Sequence, residues 1–216
     1  IPAGLSGETN QDSEPFLAVD LTNLQKMVAS AFTPNPFGTS SGTAPIYVST
    51  DGGDTWSLNM IVPSAGALGT GDITVATSRV AARLYGGILR IPGYLLLNTL
   101  RTDDFPAPTM MRLLAARPNV DQPWVQATTV DTTDRVYVGN NDFNVLDGRT
   151  ATVDLSLNGG ATFNPIRIET RVTSIGGGRT VHVRVGRTPF PLRHDEVALR
   201  TRWPGRRGRH LPSVNA

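Results

Sequence analysis

The chain consists of short β-rich runs of five to seven residues separated by Gly, Pro, Asn and Asp, each built around a shorter apolar stretch. Residues 16–19, 27–32, 46–48, 73–76, 84–89, 95–97, 136–138 and 153–155 are such apolar-rich stretches. No stretch keeps apolar residues at the three-and-four spacing of an amphipathic helix over a useful length, so the pattern predicts strands and turns and an all-β chain.

The runs recur in a fixed order. Glu14-Pro-Phe-Leu-Ala-Val-Asp20 followed by Lys26-Met-Val-Ala-Ser-Ala-Phe32 returns as Gln122-Pro-Trp-Val-Gln-Ala-Thr128 followed by Arg135-Val-Tyr-Val-Gly-Asn-Asn141. A third element repeats with them, Ile46-Tyr-Val-Ser-Thr-Asp-Gly-Gly-Asp-Thr-Trp56 matching Val153-Asp-Leu-Ser-Leu-Asn-Gly-Gly-Ala-Thr-Phe163. Between the two copies lies a weaker one, made of Gly71-Asp-Ile-Thr-Val-Ala76, Arg83-Leu-Tyr-Gly-Gly-Ile-Leu89 and the segment from Leu95 to Phe105. Thr102-Asp103 falls 52 residues after Thr50-Asp51, which sets the period near fifty.

A unit of about fifty residues with three or four antiparallel strands is the size of one β-propeller blade, and such units cover their apolar faces only by stacking. Three blades are readable, 14–56, 71–105 and 122–163, within a body of 14–166 that follows an N-terminal loop, 1–13. The remainder, 167–216, reads as a degenerate fourth blade or an atypical Arg-rich end. Propellers close at typically about 4–8 blades, so the expectation is an incomplete ring whose open faces call for missing blades or self-association.

Composition narrows the chemistry. The 216 residues include no Cys, which excludes disulfide scaffolds, thiol catalysis and Cys-based metal sites. No run of about 18 apolar residues occurs, so no membrane span is expected. The net charge of +2 hides a split: residues 1–166 carry nine bases and fifteen acids, net −6, and residues 167–216 carry eleven bases and three acids, net +8. An Arg-rich end suits phosphate, but Pro204, Gly205 and Gly208 interrupt it and the body offers no matching basic face, so nucleic acid is not the expected partner. His182, His194 and His210 lack the spacing of a compact metal-ligand set, and no metal is assigned.

Ser49-Thr-Asp51-Gly-Gly53-Asp-Thr55-Trp56 resembles the Asp-box, or BNR repeat, whose pattern is Ser-x-Asp-x-Gly-x-Thr-Trp; Ser156-Leu-Asn158-Gly-Gly160-Ala-Thr162-Phe163 is a relaxed copy. The chemistry of the spacing stands without the name. A short Asp or Asn side chain bonds the N–H groups of its own turn, Gly allows positive φ, and the closing aromatic folds under the turn. The resemblance covers residues 12–164 and points to the sialidase-like Asp-box propellers, found in sialidases, other glycoside hydrolases and non-enzymatic receptors and assembly factors. It implies a glycan-active, glycoside-hydrolase-like protein, secreted or held at the cell surface, with ligand at the channel mouth and the boxes away from it. The other reading it allows is a non-catalytic scaffold for a protein or polysaccharide.

Family sialidases carry an Arg-Ile-Pro tripeptide whose Arg grips a substrate carboxylate, and Arg90-Ile91-Pro92 is similar to it, although it follows the first box instead of preceding it. The Tyr, Glu and Asp that the family uses in catalysis find no matching set. The repeat itself supplies another constellation: Asp12 and Glu14, then Asp72, then Asp121, stand at or just before the first strand of each unit. If first strands line a channel, these carboxylates converge on one mouth, where they can bind sugar hydroxyls, hold a hard cation such as calcium, or act as an acid and base. No motif calls for calcium, and no cofactor is expected. Asp72, Asp121 and Arg90 are the candidates for catalysis.

Overall fold

The computed structural model describes residues 13–32, 43–63, 71–90, 95–144, 150–168, 182–183, 196–197, 199–200 and 214–215. They form an all-β molecule of three four-stranded antiparallel sheets, each a simple up-and-down meander. The first holds β1 (Ser13–Val19), β2 (Met27–Phe32), β3 (Thr43–Ser49) and β4 (Ser57–Pro63). The second holds β5 (Ile73–Thr77), β6 (Leu84–Arg90), β7 (Leu96–Thr102) and β8 (Arg112–Pro118), and the third β9 (Val120–Val130), β10 (Thr133–Asp142), β11 (Thr150–Ser156) and β12 (Asn164–Arg167).

Each sheet thus extends one strand beyond the unit that the repeat defines. β4 is exposed or half-buried except at Ile61 and Val62, β8 is exposed along most of its length, and β12 is exposed throughout. Outer strands of this kind bury little, so they leave a weak apolar signal. Beyond the body, β13 (His182–Val183) pairs with β15 (Leu199–Arg200) and β14 (Glu196–Val197) with β16 (Val214–Asn215). The rest of the expected fourth blade lies outside the described residues.

The sheets stack in succession, with β5 packed against β1 on one side and β9 on the other. Val28, Ile46 and Val62 of the first sheet meet Val75, Leu84 and Leu100 of the second in one core. Tyr85 and Leu97 of the second meet Val125 and Val136 of the third in another. The middle sheet is therefore covered on both faces, which is why β5 is buried along its whole length and β6 everywhere but its last residue. At Gly87 the approach is closest: a Cβ there would lie 2.7 Å from Val125 Cγ2 and 3.0 Å from Pro123 Cβ, so β9 seats on β6 only because no side chain intervenes.

Polar bonds tie the inner strands. The Thr77 hydroxyl donates to the Val19 carbonyl (2.6 Å), and Val125 N–H donates to Thr74 Oγ1 (3.0 Å). These sheets are compatible with a propeller; no closed ring is formed among the described residues. None of those residues belongs to a helix long and apolar enough to cross a membrane.

Candidate functional site

The first strands of the three sheets run in the same sense, so their N-terminal ends lie together at one end of the molecule. There they enclose a cavity of about 320 Å³, lined by equivalent triplets: Glu14-Pro15-Phe16 from β1, Asp72-Ile73-Thr74 at the start of β5, and Gln122-Pro123-Trp124 from β9. That volume falls at the lower end of the range of small-ligand sites.

Local backbone chemistry shapes this mouth. Glu14 and Gln122 occupy equivalent repeat positions and both take positive φ, 55° and 53°. Each lies where its strand loses register with its neighbour, β1 between Ser13 and Phe16 and β9 opposite the Gly139 to Asn141 step. The following Pro, with no N–H to give, suits a break in the ladder. Bulges of this type re-aim side chains, and a non-glycine residue in the left-handed region persists only where its surroundings hold it. Around the second bulge, Gln122 N–H donates to Asp121 Oδ1 (2.8 Å) and Asn141 Nδ2 donates to Gln122 Oε1 (2.8 Å). Aromatic residues follow both prolines. The rings of Phe16 and Trp124 meet edge to face, with centroids 4.6 Å apart and planes at 79°, joining the first and third sheets across the mouth.

Burial pushes the Asp72 carboxyl up to about 6, and the negative charges of Glu14 and Asp121 push in the same direction. The structure thus brings Glu14, Asp72 and Asp121 within electrostatic reach of one another. Asp12 lies outside the described residues. Arg90 closes β6 at this same end, opposite Leu96 of β7, but it does not line the cavity, and Ile91 and Pro92 lie outside the described residues. Among the described residues, no group of three His, Cys, Asp or Glu is arranged to hold a metal ion.

The two eight-residue turns singled out in the sequence lie at the other end of the sheets, between β3 and β4 and between β11 and β12. The bonds of the serine hydroxyl and of the threonine N–H correspond in the two. Ser49 Oγ donates to Asp51 Oδ1 (2.7 Å) and accepts from Gly53 N–H (2.9 Å); Ser156 Oγ donates to Asn158 Oδ1 (2.9 Å) and accepts from Gly160 N–H (2.9 Å). Thr55 N–H reaches Asp51 Oδ1 (2.9 Å) and Thr162 N–H reaches Asn158 Oδ1 (3.0 Å). Gly53 and Gly160 take positive φ, 99° and 88°. Trp56 Nε1 closes the first turn on the Gly53 carbonyl (3.0 Å), a bond that Phe163 has no N–H to make. These residues build hairpins and stand away from the cavity. The middle sheet has no such turn; Asp103, at the corresponding place, accepts from both Arg83 and Arg101.

Neither protein-family models nor curated proteins match this chain.

One cluster has no counterpart in the sequence reading. Arg117 on β8 reaches from the second sheet to the third and bonds both Asp142, at the end of β10, and Asp154 on β11. Asn140 Nδ2 donates to the second oxygen of Asp154 (3.1 Å), and Asn144 N–H to Asp142 Oδ1 (2.8 Å). Burial raises the Asp154 carboxyl to about 6, opposed by the Arg117 charge and reinforced by that of Asp142. All of its members are engaged with one another, so the cluster is a clamp between sheets. Its residues sit 25 and 37 positions apart on separate strands, and only the packing of the sheets signals it.

Proposed function

We propose that this chain is the scaffold of an Asp-box propeller, sialidase-like in architecture, that takes a glycan at the mouth formed by β1, β5 and β9. The observation that carries the reading is the convergence of three equivalent strand ends on one cavity that combines carboxylates with two aromatic rings. Sugars present hydroxyls that carboxylates bind and apolar C–H faces that aromatic rings cover, and a site with a few convergent polar groups in an apolar wall suits them. The turn geometry at the far end supports the scaffold, since both turns make the bonds that the motif's spacing demands.

The same mouth supports hydrolysis. A glycosidase needs one carboxylic acid to protonate the leaving oxygen and one carboxylate to act as base or nucleophile, with their pKa values held apart. Asp72, raised to about 6, suits the acid, and Glu14 or Asp121 the partner. A second reading, a non-catalytic glycan-binding scaffold, is favoured by the position of Arg90 outside the cavity lining. Fluorogenic glycosides separate the two. Hydrolysis by the wild type that falls by about 100-fold or more in Asp72→Asn, the usual scale for losing a general acid, supports the enzyme. Binding without turnover supports the scaffold, and neither binding nor turnover sinks the glycan reading.

A further inference from the structure

The mouth is electrostatically one-sided. Glu14 on β1 and Asp72 at the start of β5 line it, Asp121 on β9 acts on Asp72 from the third sheet, and no basic side chain is among the described residues that line it. Phe16 and Trp124 add uncharged ring surface to the lining. Carboxylates held together cost energy that a bound cation returns, whereas a ligand carboxylate adds to the repulsion. The cavity volume of about 320 Å³ suits a small organic group, and among the described residues no three acids are arranged to coordinate a bare metal ion.

We propose that the group seated in this mouth is a protonated amine, so that the glycan taken here is an amino sugar with its nitrogen free, not an acidic sugar such as sialic acid. The inference rests on the glycan reading above and narrows its ligand class. An ammonium supplies donors that carboxylate oxygens accept, and charge-assisted bonds of this kind are roughly twice as strong as neutral ones. Acetylating the nitrogen removes that gain while leaving the sugar ring nearly unchanged, so the comparison isolates the amine.

Linkage gives the inference a signature that general stickiness lacks. A cation placed beside Asp72 favours its ionised form and lowers its pKa from about 6, so binding near that pH releases a proton, and affinity declines as the medium is acidified through it. Calorimetry of the full chain with a glucosamine trimer, the N-acetylated trimer, sialyllactose and spermidine, in buffers of different ionisation heat, reads both affinity and proton release. The expected result is a preference of about tenfold or more for the free-amine trimer over its acetylated form, proton release on binding, and no uptake of sialyllactose. Asp72→Asn and, separately, Glu14→Gln should each cut that preference severalfold, and the exposed position of Glu14 keeps the second variant free of folding effects. Equal or tighter binding of the acetylated trimer, or uptake of the sialoside, overturns the amine and leaves the glycan reading standing. Spermidine bound as tightly as the free-amine trimer, with no other glycan bound, keeps the cationic ligand and removes the glycan. Binding of none of the four overturns both.

Discussion

Ser49 and Asp51 show how little sequence a local structure needs. The buried Ser49 hydroxyl receives Gly53 N–H and orients the acid, and the acid receives the N–H and hydroxyl of Thr55. Asn158 makes the corresponding backbone bond to Thr162 with an amide in place of a carboxylate, so Asp51→Asn should lower Tm only slightly. Ser49→Ala strands a turn N–H and should cost ~1–2 kcal/mol, about 3–6 °C in Tm by calorimetry for a chain of this size. The two variants also differ in acid. The Thr55 side chain, then its N–H, then Ser49 hold Asp51 down at about 2, below the ordinary value of 3.8. Its contribution is therefore complete above pH 3.8 and is lost as pH falls through about 2, an acid limb that Asp51→Asn should flatten. This turn is legible from eight residues because its side-chain partners lie within them; only the Gly52 N–H reaches outside, to the Gln25 carbonyl (2.9 Å). At the mouth, legibility is partial. Glu14, Asp72 and Asp121 stand out by their place in the repeat, whereas Phe16 and Trp124 carry a signal only in hindsight: an aromatic follows Pro in both copies, and the contact between them spans three sheets.

Strands follow the same division between local and distant causes. The inner and middle strands of each sheet bury continuous or alternating apolar runs and are read directly, while β4, β8 and β12 are edge strands with mixed patterns that leave the repeat three strands long on paper. Besides Leu114, which packs against the core shared with the third sheet, what ties β8 to the next sheet is Arg117, and no spacing rule links it to Asp142 and Asp154. Removing the guanidinium leaves two acids with side chains only 8% and 9% exposed facing each other. Arg117→Ala should therefore cost roughly 3–5 kcal/mol near neutral pH. Losing the cation also lifts the Asp154 carboxyl further above its unfolded value, and a raised acid destabilises the fold as pH rises past its ordinary range. The penalty should accordingly shrink as pH falls toward 4, which urea unfolding at two pH values will register. A penalty that does not change with pH would show that Arg117 packs β8 through its stem and not through its charge.

Across the whole molecule the two ends of the sheets do different work. One end carries the hydrogen-bonded turns that hold outer strands together, together with the Arg83–Asp134 and Arg101–Asp103 ion pairs. The other carries the bulged strand ends, the raised acid and the aromatic pair. The hairpin turns and the mouth are separated along the strand axis, so a ligand at the mouth need not disturb those turns; the Arg117 clamp lies toward the mouth end, where Asp142 pairs with Val120 at the start of β9. The most direct test is a backbone-amide NMR titration of the full chain with a glucosamine oligosaccharide, reading where resonances move. Saturable shifts are expected at Phe16, Asp72, Thr74 and Trp124, with the Ser49 and Ser156 turns silent. Shifts that gather at those turns, or no saturable shift anywhere, would contradict a glycan site at the mouth.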